Sequence, residues 1–539
     1  MTEAYGESPP RRHGESTWPE QDRRRVVEEM RAALDEHRWD DVGGLLDDYF
    51  SALSIAAPEV VRDVWARVPR AWLVANPRQQ LAAAMTRAAD TRSVAIEEHV
   101  VRSFLRWMLA QERPAVRDVL LAHALDIRQH LALGRFARAN DAADDVEKAV
   151  REGDDLTGLD DAMGNIRLQV GLARLNVGDL RGAAEAFAEG WRWSRLAFPH
   201  PLSPSLAAHC AVVHALGEDH ARAESWVDRG GVLHERAGLA AASASPTAAS
   251  LARALIAIGR LDRTGAEEAL LGIDRGVGSS DLWWVVEHAH ARVALLWGDR
   301  RQALADLDDA LDSAPSLTPP TSFAGAVLRA DAADLHHSQG ELGAATRCIQ
   351  ALDRWSGHPV VAPSTVRAHI VVGHTVEAEA LMAGYGESRE GLSAGRARYA
   401  VQRANLAHLM RRADQTAAVD AAVDAIRRTR AFDAAFEAIP AVHRGIVERL
   451  ALPGQRTARF VSVPTAVLTA RELQVLGLLA AHASVQEIAT AMHVSRNTTK
   501  THLRMVYRKL GVSTRAAALE VADRLKPRDD RGDLSPREG

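Results

Sequence analysis

Lysine is almost missing from this chain: of 66 basic residues only Lys148, Lys500, Lys509 and Lys526 are lysine. None of the four follows a glycine, and a P-loop needs Gly-Lys-Ser/Thr so that its backbone can wrap phosphates while the lysine reaches them. A Walker-type nucleotide site is therefore excluded. A phosphoacceptor receiver domain needs a lysine late in an early βα pattern, whereas Lys148 stands in a helical context, which excludes that module as well. Cysteine is just as scarce. Cys210 and Cys348 are too few and too far apart for a disulfide framework or a metal cluster, so both read as small buried apolar residues in a reducing cytoplasm. No run of 18 apolar residues and no basic-then-apolar leader occurs, so neither a membrane span nor secretion is indicated.

Catalytic patterns are wanting too. Neither G-x-S-x-G nor H-E-x-x-H is present. His336-His337 and His288-Ala289-His290 are spaced i+1 and i+2, so neither pair shares a helix face as a metal pair at i+4 does. Asp144-Asp145 and Asp308-Asp309 read as solvated helix surface. The expectation is a protein that is not an enzyme, with no catalytic residue, no metal ligand, no cofactor-binding residue and no cofactor.

What is present is helical pattern. Hydrophobic content of 47% and charged content of 25% are those of a globular chain long enough for several domains or one extended repeat array. The net charge of −5 is unevenly placed. Residues 465–525 hold eight Arg/Lys against four Asp/Glu, or +4, which leaves −9 for the remainder. A basic module on an acidic body fits a DNA reader whose body does not touch DNA.

That module is the most informative stretch. Thr469 and Glu472 have capping-box spacing at the start of a helix whose buried stripe is Leu473, Leu476 and Leu479. A second box, Ser484 to Glu487, starts a short helix carrying Ile488, Ala489 and Met492. Ser495 caps a third, which runs to Leu510 and stops at Gly511, and Ser513 or Thr514 begins a fourth that ends before Pro527. On the third helix Leu503, Val506, Tyr507 and Leu510 fall at i, i+3, i+4 and i+7 and face a core. Asn497, Thr501, Arg504 and Arg508 project to the other side with Lys500 on the flank, and no acidic residue lies between Ser495 and Gly511. Such a face suits a major groove, where Arg and Lys reach guanine O6/N7 and nearby phosphates.

Leu468-Thr469-x-Arg471-Glu472-x-x-Val475-Leu476, then Glu487-Ile488-Ala489, then Ser495-x-x-Thr498-x-Lys500-Thr501-His502-Leu503, then Tyr507-Arg508-Lys509-Leu510-Gly511-Val512 resembles the LuxR-type DNA-binding domain over roughly 60 residues. The resemblance implies double-stranded DNA as partner, a helix-turn-helix over about Val485 to Arg504, and DNA contacts from Asn497, Thr498, Lys500, Thr501, Arg504, Arg508 and Lys509. It also implies a homodimer through the fourth helix, Ser513 to Leu525. Three positions depart from the family pattern: His482 where glycine is usual, Val485-Gln486 where Asn-Lys or similar is usual, and Thr499 where valine is usual. At the inward position 499 a threonine can return its hydroxyl to the preceding turn. The autoinducer-binding module of many such regulators, built on aromatic strands and tyrosines, is not indicated by the five tyrosines here.

The body repeats. A glycine followed by a polar or charged residue recurs at Gly134, Gly178, Gly217, Gly259, Gly298, Gly340 and Gly373, at spacings of 44, 39, 42, 39, 42 and 33, and Ala413-Asp414 continues the series after 40. In five of the seven an alanine follows at +5: Ala139, Ala183, Ala303, Ala345 and Ala378. The Gly-x4-Ala step is similar to the middle of a tetratricopeptide repeat, stretched to about 40 residues. It predicts a right-handed α-solenoid of roughly eight to ten hairpins. Val68 to Pro77 loosely resembles the start of the helical-repeat section of the large MalT-type regulators, without their ATPase half. Most of the twelve tryptophans are expected in hairpin cores.

The fold expected is therefore all-α: a TPR-like α-solenoid followed by a four-helix LuxR-type helix-turn-helix domain. Residues 1–25 are expected to be a disordered start, 26–451 the repeat body, 452–464 a linker, 465–526 the reader and 527–539 a disordered tail. The function expected is that of a cytoplasmic, sequence-specific transcriptional regulator, with no membrane contact, whose body binds a protein or small-molecule effector. The alternative is a helical-repeat scaffold whose helix-turn-helix serves in assembly rather than DNA binding.

Overall fold

In the computed structural model the described residues are 20–90, 96–153, 156, 158–196, 200–237, 246–276, 280–372, 374–387, 396–452, 470–481, 484–492, 494–510, 514–515 and 518–519. Every regular element among them is a helix, and none is a strand. The fold is all-α, as the pattern predicts. The first helix, Glu20–Asp35, begins with Glu20 and Asp22 in its opening turn, where carboxylates meet the positive end of the helix dipole. The expected N-terminal segment up to residue 19, the linker from 453 and the tail from 527 lie outside the described residues.

From residue 116 onward the helices run in successive pairs, beginning with Val116–Ala132 and Phe136–Glu152 and ending with Arg396–Leu409 and Gln415–Thr429. Seven of the eight marks read from the sequence fall at or beside the bend of one pair, and the eighth, Gly373, lies outside the described residues. The bends close by a recurring device. Asp179 N–H donates to Arg174 O at 2.9 Å and Gly178 N–H to Leu175 O at 3.0 Å, the two bonds of a Schellman cap around a left-handed residue. The same two bonds recur at Gly134/Arg135, Glu218/Asp219, Leu261/Asp262, Gly340/Glu341 and Arg411/Arg412.

The left-handed residue is not always the glycine that the spacing picks out. Gly134, Gly178 and Gly340 do take positive φ, but in two other pairs Glu218 (φ 66°) and Leu261 (φ 61°) do so in place of Gly217 and Gly259. Gly259 lies inside the last turn of Pro246–Arg260, and a Cβ there would come closer than 3.0 Å to the His220 ring. It is small because a neighbouring side chain crosses it, not because of its backbone. Counted from the left-handed residue, the +5 alanine also appears at Ala223 and Ala266. Those two and the five read from the sequence are all buried. The polar residue after the bend is the N-cap of the next helix: Asp179 accepts from Gly182 N–H at 2.8 Å, Asp262 from Gly265 N–H at 3.0 Å and Asp299 from Gln302 N–H at 3.1 Å.

The chain divides into two compact units. The first comprises residues up to 173 with 183–210 and 226–246. Its core holds Met30, Leu34, Leu46, Leu53 and Val64 around the first helices, and Leu120, Ile127, Ala143, Met163 and Ile166 further on. Charge is buried there in paired form. Arg78 grips Asp118 through two 2.8 Å bonds, and Arg167, 1% exposed, reaches both Glu147 and Glu189. Trp191 and Trp226 meet edge to face at 5.4 Å, with Arg195 and Arg229 stacked on them.

The second unit comprises 174–182, 211–225 and 247 onward. Trp283 and Trp284 are core residues, as expected of the tryptophans. Trp284 packs on Phe323, which packs on Trp355 and His358. His358 Nε2 bonds Gly178 O at 2.9 Å across 180 positions of sequence. A Cβ at Gly178 would sit 2.9 Å from Trp355, so this glycine is required both by its φ of 82° and by space. The same unit buries Arg292, Arg367 and Arg398 with Glu218, Asp334, Asp433 and Glu437.

Candidate nucleic-acid interface

Among the described residues three helices build the C-terminal domain: Ala470–Ala481, Val485–Ala491 and Arg496–Leu510. The middle one starts where its capping box predicts. Glu487 N–H donates to Ser484 Oγ at 3.3 Å and Ser484 N–H to Glu487 Oε2 at 3.4 Å. Val494 N–H closes the turn on Ala489 O at 3.1 Å, and Ser495 Oγ then caps the third helix by accepting from Thr498 N–H at 3.0 Å. Oxygen-bearing caps thus start both the second and the third helix. Thr469, His482, His493, Gly511 and Ser513 lie outside the described residues, as does the Leu473 side chain.

The core beneath is apolar. Val475, Leu476, Leu479, Ile488, Met492, Leu503, Val506 and Ala518 cluster, with Val485, Val494 and Tyr507 packed against them. Thr499 is fully buried and its Oγ1 donates to Ser495 O at 3.2 Å, so the hydroxyl at this inward position is satisfied within its own helix. Of the expected fourth helix only Thr514, Arg515, Ala518 and Leu519 are described. Arg515 Nη2 donates to Leu479 O at 2.8 Å, holding this segment to the end of the first helix.

With one side of the third helix committed to the core, the other carries the expected contact residues. Asn497, Thr498, Lys500, Thr501 and Arg504 are all exposed. Among the described residues nothing pairs with the Lys500 ammonium or the Arg504 guanidinium, so both charges are free for an anion. The two threonines are partly committed. Thr498 Oγ1 lies 2.7 Å from Ser495 Oγ, and Thr501 Oγ1 donates to Asn497 O at 3.0 Å, which leaves its methyl and lone pairs outward. The Arg508 and Lys509 side chains lie outside the described set. Arg496, one residue past the cap, is exposed on the first turn and was not picked out by the outward-face pattern. Its position at the N-terminal end of a helix-turn-helix's second helix was the available signal.

The family model for bacterial regulatory proteins of the luxR family, GerE, matches residues 466–522. This stretch is a LuxR-family helix-turn-helix domain. Such a domain belongs to DNA-binding transcription regulation and points to a non-enzymatic role. Within the LuxR-type domain the third helix is Arg496–Leu510. Among the described residues no helix is long and apolar enough to cross a membrane, and no three His, Cys, Asp or Glu side chains gather so as to hold a metal ion.

Proposed function

We propose that the protein is a sequence-specific regulator of transcription that reads double-stranded DNA with the outer face of Arg496–Leu510. Asn497, Thr498, Lys500, Thr501 and Arg504 meet base edges and neighbouring phosphates, and Arg508 and Lys509 meet phosphates. The observation that carries this reading is an acid-free outer face on which, among the described residues, Lys500 and Arg504 are exposed and unpaired, while Leu503 and Val506 of the same helix are buried in a LuxR-type core. Arg and Lys without internal partners give up no salt bridge on meeting DNA, and each phosphate neutralised releases counterions.

The reader acts as a homodimer through Ser513 to Leu525, two copies occupying half-sites about one helical turn apart. The repeat body, about residues 26–451, binds an effector and biases two arrangements of body and reader, since a ligand with equal affinity for both shifts nothing. The protein works in the cytoplasm.

Footprinting of the full chain on DNA tests the first claim: discrete protected sites support it, and uniform weak protection would favour the scaffold reading. Sedimentation on a full site reports the dimer. Reporter output after removal of residues 1 to 450 tests the body: higher constitutive output means masking, lost output means support, and unchanged output under every condition removes its regulatory role.

A further inference from the structure

Four helices of the first unit enclose a cavity that the fold does not fill. Trp39–Ala56, Pro77–Asp90, Val116–Ala132 and Met163–Asn176 line an open-mouthed space of about 110 Å³. Clefts between helices are a preferred place for small-molecule sites. Its apolar lining is Leu46, Phe50, Leu81, Met85, Leu121 and Ile166. Core side chains normally close such a space, so one left open between well-packed helices has room for an apolar guest.

The polar groups in its wall are unequally satisfied. Arg78 is fully engaged by Asp118 and Asp47. Asp161 accepts from Ser51 N–H at 2.6 Å and Ala52 N–H at 2.9 Å, and its Oδ1 lies 3.1 Å from His200 Nε2, so its charge is met on all sides. Arg117 is different: its Nε is buried without a hydrogen-bond partner, and its guanidinium approaches Asp47 only to 3.8 Å. Asp47 is already taken by Arg78 and Gln79. Arg128, Asn165 and Gln169 also line the cavity, and among the described residues none of these three side chains has a partner. Every carboxylate in the wall is thus answered, while one guanidinium is free and a second is under-satisfied beside two free amides.

We propose that this cavity is a binding site for a small amphiphile with an apolar body and a carboxylate head. The body lies on Leu46, Phe50, Leu81, Met85, Leu121 and Ile166. The head is received by Arg128 with the Asn165 and Gln169 amides donating, since a guanidinium matches a carboxylate in charge and in fork geometry. A cationic head has no unanswered carboxylate to meet, and a neutral one leaves the Arg128 guanidinium as it was. The inference deepens the effector-binding reading of the body and rests on it for its biological meaning, but the binding itself is independent of DNA.

The test is calorimetric titration of the full-length protein with decanoate, decanol and decyltrimethylammonium, each below its micelle concentration. One decanoate per chain is expected, bound about tenfold or more tighter than either of the others. Arg128→Glu is expected to lose decanoate by at least about tenfold and to gain the cationic probe; Arg128→Gln, the milder change at this half-buried position, loses decanoate without that gain. Ala124→Trp, which fills the cavity, abolishes binding of all three. Equal affinity for the three heads, or decanoate binding untouched by Arg128→Gln, would overturn the site. A gel shift with and without decanoate separates the two readings: selective binding with unchanged DNA affinity keeps the site and removes its effector role.

Discussion

Arg398 Nη1 lies 3.1 Å from Glu218 Oε1, two buried residues 180 positions apart in the chain. Glu218 holds this place with a left-handed backbone, φ 66°, at a bend where the neighbouring Gly217 could have taken the strain. The side chain accounts for the choice: a glycine at 218 would relax the backbone and leave Arg398 one carboxyl short. Arg398 also bonds Asp433 at 2.6 Å and pairs with Glu437 at 2.8 Å, and Arg292 and Arg367 share these acids and Asp334. Three guanidinium groups face four carboxyl groups, Glu218, Asp334, Asp433 and Glu437. One negative charge is in excess, and burial, only partly offset by Arg398, pushes Glu218 up to about 7. Asp433, held between Arg398 and Arg292, falls to about 2 even though burial opposes it.

Glu218→Gly should therefore destabilise the body. Release of left-handed strain returns about 1–2 kcal/mol, while opening a buried ion pair from one side costs about 3–5 kcal/mol. Glu218→Gln, which keeps an acceptor beside Arg398, should cost less at pH 8, where Glu218 is charged, than Glu218→Gly does. Thermal unfolding of both variants at that pH checks the order. Equal midpoints would mean that the side chain at 218 contributes nothing.

Acid should weaken the body well before carboxylates protonate. Burial lowers His214, His220, His290 and His358 to about 4 and His337 to about 3. A histidine lowered in the folded state takes up its proton only on unfolding, so its stabilising share is present above pH 6.5 and is lost as pH falls toward 4. Glu218, raised, works the other way: its share is full below pH 4.5 and is lost as pH rises to 7. Each proton carries about 1.4 kcal/mol per pH unit, so five histidines outweigh one glutamate. The unfolding temperature should fall from pH 7 to pH 5, and a constant or rising one would contradict the burial of these rings.

Two glycines should respond oppositely to a methyl group. Gly44, exposed within Trp39–Ala56, has nothing within 4 Å of its Cβ position, so Gly44→Ala should stabilise by about 0.5–1 kcal/mol. At Gly171 a Cβ would come closer than 3.0 Å to the Phe187 ring, so Gly171→Ala should destabilise by about 1–3 kcal/mol. Denaturant midpoints of the two variants report both signs.

Local sequence was legible where a signal is local. The Ser484–Glu487 box, the Ser495 cap, the Leu503/Val506 stripe and the inward Thr499 follow from short-range spacing, and the structure has them. The helical pairing was legible too, because most of the described bends place a left-handed residue at the turn and a buried alanine five places on. The glycine rule slipped by one and two residues at Glu218 and Leu261, where tertiary contacts decide which residue bears the positive φ. The Arg292/Arg367/Arg398 network and the Arg117/Arg128 cavity were illegible. Their members are single charged residues on separate helices, each indistinguishable in sequence from a solvated face until packing brings them together.

Phosphate contacts should show in salt dependence. Arg508→Ala and Lys509→Ala should weaken binding to all duplexes alike and flatten the slope of log affinity against log salt by about one unit each. Arg504→Ala should cost about 1–3 kcal/mol on the preferred duplex and relax one base position. A slope unchanged in both of the first two variants would remove Arg508 and Lys509 from the interface.

The most direct test is selection of duplexes from a random pool by the full-length protein, followed by affinity for the enriched and a scrambled duplex. Wild type should favour the enriched duplex by about a thousandfold or more. The Lys500→Ala/Arg504→Ala double variant, both side chains exposed and unpaired, should lose most of that preference while keeping its thermal stability. Failure to enrich any sequence, or a double variant that discriminates as well as wild type, would contradict DNA reading by this helix face.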